Sequence, residues 1–84
     1  MLMAEPERQQ TEWEGLRLTV EKRPDQWQGF VYDPDECEVL YTAERPDADK
    51  AKFAVLDFAA VHRFGPAHDL KLELLAQMLV WEPS

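Results

Sequence analysis

One cysteine, three glycines and one serine are all that the 84 residues contain of those types. Cys37 alone can form no internal disulfide, and without a CxxC pair the chain lacks the closely spaced thiolates of a structural zinc site. Gly15, Gly29 and Gly65 lie too far apart to make a phosphate-cradling loop. Ser84, the sole serine, is no candidate nucleophile. No apolar run approaches the ~20 residues of a membrane span. Met1 to Gln10 is polar and acidic, without the apolar centre of a signal peptide, so a reducing, cytoplasmic setting is expected.

Positive charge is scarce as well. Nine Lys and Arg stand against seventeen Asp and Glu, for a net charge of −8. Residues 33–49 hold seven acids against Arg45 alone, a net of −6, whereas residues 50–84 balance at four of each sign. Binding to a phosphate backbone or an anionic lipid surface needs basic groups that displace counterions. Nucleic acid and membrane are therefore not expected partners. The plain reading of the acid is a solvated, solubilising face.

A chain this short makes one domain and buries only about 60–65% of the surface that it exposes when unfolded. Residues 1–12 show no periodicity and are expected as a flexible tail, with 13–84 as a single α+β domain. Leu16, Leu18 and Val20 alternate with polar residues, the two-residue period of a half-buried strand. Trp27 to Asp33 is aromatic and β-branched, and Cys37 to Thr42 reads as a third strand. The turns between them, Arg23-Pro24-Asp25-Gln26 and Asp33-Pro34-Asp35-Glu36, place proline second, where its fixed φ suits a type I turn. A first helix is predicted over 46–64, opened by Pro46 with Asp47 and Asp49 and stopped by Gly65-Pro66. A second is predicted over 69–81, with Asp69 as its cap and Pro83 beyond its end. The expected fold is a three-stranded antiparallel meander followed by two helices, with the first helix on the sheet.

These helices carry more apolar surface than such a sheet can cover. At ~100° per residue, Ala51, Ala54, Val55, Phe58 and His62 fall on one side of the first helix; Phe53, Leu56, Ala60 and Phe64 fall on nearly the opposite side. On the second helix Leu70, Leu74, Met78 and Trp81 line one side, and Leu72, Leu75 and Leu79 the other. Packing helix two on the outer stripe of helix one still leaves one stripe open, unless the tail, with Met3 and Trp13, wraps over it. On the sheet, Phe30 and Tyr32 point away from the core if Trp27, Gly29 and Val31 face it. A tight turn at Pro34-Asp35 would set Val39 and Cys37 beside them; a bulge would return Cys37, Val39 and Tyr41 to the core.

No arrangement of residues points to catalysis, a metal or a cofactor. His62 and His68 flank Gly65-Pro66 without the spacing of paired ligands, and His62 lies on an apolar stripe. Cys37 sits between Glu36 and Glu38, which disfavour a thiolate. Asp33, Asp35, Glu36 and Glu38 do not follow an EF-hand loop, and the chain is too small to build a deep carboxylate-lined cleft. Large apolar patches on soluble proteins commonly mark interfaces. The expectation is a non-catalytic assembly module, forming a twofold homodimer through Leu72, Leu75, Leu79, Phe53 and Phe64. A partner would meet Phe30, Tyr32, Asp33, Asp35 and Glu38, or an unpaired strand edge. Two alternatives stand beside it: an acidic inhibitor or nucleic-acid mimic that docks on a basic protein, and a small-molecule-binding domain with its pocket between dimer halves.

Overall fold

A computed structural model describes residues 7–84. The order of elements is β1 (Arg8–Trp13), β2 (Leu16–Lys22), β3 (Trp27–Asp33), β4 (Glu38–Arg45), α1 (Ala48–Phe64), α2 (Leu72–Met78) and β5 (Glu82–Pro83). All strands join one antiparallel sheet in the order β4-β3-β2-β1-β5, with α1 packed on one face. The expected meander is thus its central part, and the strand count is corrected from three to five. Residues 8–12, read as tail, belong to β1; Met3 lies outside the described residues.

β1 escapes a search for alternating apolar residues because its core-facing positions are Gln9, Thr11 and Trp13, paired with Val20, Leu18 and Leu16. Gln9 and Thr11 are nonetheless buried. Its turn also lacks the usual signal. Glu14 and Gly15 both take positive φ, 51° and 75°, which makes a two-residue hairpin turn of the primed kind. Asn, Asp or Gly normally fills the first of these positions, and Glu does not announce it. β5 forms because the chain leaves α2 extended at Leu79 and lays Glu82 and Pro83 against Gln10 and Gln9. Proline is admissible there because β5 is an edge.

The register between β3 and β4 resolves the two arrangements left open by the sequence. A bulge lies between Val31 and Tyr32: Val31 pairs with Tyr41 and Tyr32 with Val39, so Leu40 is the additional residue. Tyr41 therefore faces the core while Val39 stays on the outer face. The turn before β4 is held by Asp33, whose Oδ1 accepts the Asp35 N–H at 2.9 Å. It closes with Cys37 at φ 52°.

α1 begins where the sequence places it to within two residues. Asp47 is its N-cap, accepting the Lys50 N–H at 2.8 Å, a contact worth about 1 kcal/mol. Gly65, at φ 85°, ends it. Ala48, Ala51, Val55 and Ala59 are buried together with Leu16, Leu18, Val20, Trp27 and Val31 of the sheet. α2 is shorter than the predicted 69–81, covering two turns. Asp69 does not cap it: the residue before the helix is Lys71, without a side-chain cap, and Leu70 N–H is donated to His68 Nδ1 at 3.2 Å instead. Leu72 of α2 is buried, and Leu75, Ala76, Leu79 and Trp81 pack on the same core beside Leu56 and Ala60 of α1. Trp81 fastens this layer, donating its indole N–H to Ala76 O at 3.3 Å and lying under Lys52 Nζ at 5.2 Å.

The tightest contact between helix and sheet is at Gly29. A Cβ added there would sit 2.5 Å from Val55 Cγ1 and 3.3 Å from Ala51 O. Gly29→Ala is expected to push α1 away from β3 and lower stability by about 1–3 kcal/mol, read as a shift in the urea midpoint. Gly65→Ala, with open space around its Cβ position, adds no such clash and is strained only by its backbone angle.

Candidate interaction surfaces

Three surfaces remain once the core is assembled: the back of the helical layer, the uncovered face of the sheet, and the acidic end around the β3–β4 turn.

The helical surface is set by how α2 lies. Leu72 is 8% exposed and Leu75 and Leu79 are half-buried, so the stripe predicted as a dimer contact faces the chain's own core. The stripe that stays open is the opposite one. Leu70, Leu74 (55% exposed) and Met78 (77%) lie on it, and Val80 continues it toward β5. Phe53 is also exposed and lines two shallow grooves of about 500 and 490 Å³ along the α1–α2 seam, which share Glu73 as well. Phe64, the other aromatic predicted for this contact, is exposed at the far end of α1, where it meets Trp13 edge-to-face at 5.9 Å. Phe53 and Phe64 thus belong to an outward surface, whereas Leu72, Leu75 and Leu79 hold α2 down.

The uncovered sheet face presents Phe30, Tyr32 and Val39, placed together by the pairs Phe30–Thr42 and Tyr32–Val39. Arg17, paired with Tyr32 across β2 and β3, holds its guanidinium 5.7 Å from the ring centre, and its Nε is buried without a hydrogen-bond partner. Glu21 bridges Arg8 at 3.3 Å and Arg23 at 2.7 Å along the rim. These surface ion pairs orient side chains and add little stability. Asp33 is not part of this face. It is buried and turned to the core side, where it shapes the turn, and Glu38, its partner in register, shares that side. Asp35 is exposed in the turn. The expected partner surface therefore divides into an aromatic face and an acidic end.

Cys37 is exposed, with its Sγ 3.6 Å from Pro34 O. His62 stacks on Phe58 (5.9 Å), which stacks on Tyr41 (4.5 Å), a ladder along the flank of α1 nearest β4. Among the described residues, no three of His, Cys, Asp or Glu are gathered where they could hold a metal ion. No helix among them is long and apolar enough to cross a membrane. A hydrogen bond to the Cys37 side chain, with the charge of that group, pushes the Tyr32 hydroxyl above its ordinary range. Cys37→Ala is expected to return the Tyr32 transition toward that of a free tyrosine in a spectrophotometric titration, and Tyr32→Phe to remove it.

No protein-family model matches this chain, and no curated protein or solved structure matches it either.

Proposed function

We propose that this protein is a non-catalytic assembly module that self-associates, as a twofold dimer, through the open stripe of α2 and the neighbouring part of α1. The observation that carries this reading is the exposure of Leu70, Leu74, Met78 and Val80 in one run beside Phe53, on a chain that already has a filled core. Contiguous apolar surface of this sort commonly marks an interface. Charge supports a second copy as the occupant. The helical half, residues 50–84, is balanced at four acids and four bases, so two copies can approach there without net repulsion. Most of the acidic 33–49 segment lies in β4 and the turn before it; of its acids, Asp49 reaches the α1–α2 groove, where it lies with Lys52. A cytoplasmic location suits the single, exposed Cys37, which a reducing compartment keeps as a thiol.

Sedimentation or light scattering at micromolar concentration is expected to give twice the 9.8 kDa of one chain. Leu74→Glu combined with Met78→Glu should return the single-chain mass with the melting transition retained, because both side chains lie outside the core. Leu72→Ala should instead lower stability by about 2–5 kcal/mol. A single-chain mass for the unaltered protein defeats the proposal.

A further inference from the structure

The two edges of the sheet are treated differently. On the β1 side, β5 pairs with Gln9 and Gln10, and Ser84 N–H reaches Arg8 O at 3.1 Å. On the other side β4 is the last strand, and among the described residues no strand pairs with its outer edge.

The register shows which backbone groups that edge presents. A two-residue hairpin closes on a hydrogen-bonded pair, here Trp13 and Leu16. The alternation then assigns Leu16, Leu18, Val20 and Lys22 to β1, in keeping with Lys22 N–H donating to Glu7 O at 2.7 Å. Carried across β2 and β3, it turns Tyr41, Ala43 and Arg45 toward β3 and leaves Thr42 and Glu44 pointing outward. Glu44 O confirms the direction, since it accepts the Arg45 guanidinium at 2.7 Å beyond the sheet. The bulge at Leu40 limits the regular edge to residues 41–45, about 16 Å of strand.

We infer that this edge takes up an extended segment of a partner protein, basic on one face and apolar on the other, as an added strand. Water and the Arg45 guanidinium satisfy outward backbone groups singly, whereas an added strand pairs with them in register. Its side chains would alternate. Those on the helix side meet a groove of about 340 Å³ between β4 and α1, where Tyr41, Phe53 and Ala54 are joined by Arg45, Lys50 and Asp57. Those on the outer side lie beside Thr42 and Glu44. The charge around the edge selects basic residues on the outer side, which carries Glu44: residues 33–49, within which the edge lies, hold a net of −6, while Arg45 and Lys50 in the groove leave the helix side to apolar ones. The same field excludes two other occupants. A second copy would bring one −6 segment against another, and nucleic acid would bring phosphate. This inference does not require self-association through α2, although the two surfaces meet at Phe53.

The test is anisotropy with a labelled peptide alternating lysine and valine. Saturable binding to the unaltered protein is expected. Thr42→Pro removes an outward N–H while sparing the β3 ladder, and should weaken binding about tenfold or more. Glu44→Lys should weaken it as well. The same peptide with alternate backbone nitrogens methylated keeps its charge but cannot pair, and should not bind the unaltered protein. That arm holds even if Thr42→Pro fails to fold. The Leu74→Glu, Met78→Glu protein should bind as the unaltered one does. The inference is overturned by no binding of the plain peptide, by equal binding of the methylated one, by a folded Thr42→Pro variant that binds undiminished, or by loss of binding in the α2 variant. Failure of self-association with peptide binding intact would remove the α2 proposal and leave this one standing.

Discussion

The closeness of α1 to the sheet governs everything else in this molecule. A helix can sit this near a strand only where side chains on both sides are small, and here Gly29 meets Ala51 and Val55. Ala48 and Ala59 extend the same seat. With α1 this low, Leu56 and Ala60 are left on its flank and would be wet without a second layer. α2 supplies that layer through Leu72, Leu75 and Leu79. Because α2 is used up on one side in this way, its other side, Leu70, Leu74 and Met78, has nothing of the described chain to lie on. The exposed stripe is thus a consequence of the helix–sheet contact rather than a separate feature.

What could be read from the sequence follows the same hierarchy. β2, β3 and α1 announce themselves because their periodicity is the periodicity of burial: Leu16, Leu18 and Val20 face α1, and Asp47 and Gly65 bracket a helix in the usual way. β1 stays hidden because Gln9 and Thr11 occupy inward positions, where polar residues break the pattern of alternation. β5 has only two residues, one of them proline, and two residues carry no period at all. α2 was legible as a helix with two apolar sides, but not which side turns inward. That depends on where α1 leaves Leu56 and Ala60, a tertiary fact.

The candidate surfaces show the same division. That Phe30 and Tyr32 leave the core follows from strand alternation, and their neighbours follow only from the bulge. The bulge sends Tyr41 inward to stack on Phe58 and keeps Val39 outward beside Tyr32. No residue in 38–41 marks its position, because Val39, Leu40 and Tyr41 are all credible on either face. Asp33 illustrates the opposite difficulty. As one acid among seven it reads as part of a charged surface, yet its carboxylate is buried and bonded to the Asp35 N–H. Composition counts charges without saying which of them already serve the fold.

That distinction bears on how an acidic chain of this size can associate at all. A net charge of −8 opposes any contact between copies, and the opposition is strongest where the acid is densest. The fold largely separates the two tendencies: residues 50–84, balanced in charge, build most of the helical layer and its open apolar stripe, and the −6 segment contains the free strand edge, though Asp47 and Asp49 open α1. Contact between identical chains is electrostatically permitted at the first and resisted at the second. An edge guarded by acids and a bulge is protected from its own kind, but the protection is selective by sign. To a strand carrying lysine or arginine, the same carboxylates are an attraction, and the outward backbone groups of Thr42 and Glu44 become its docking points.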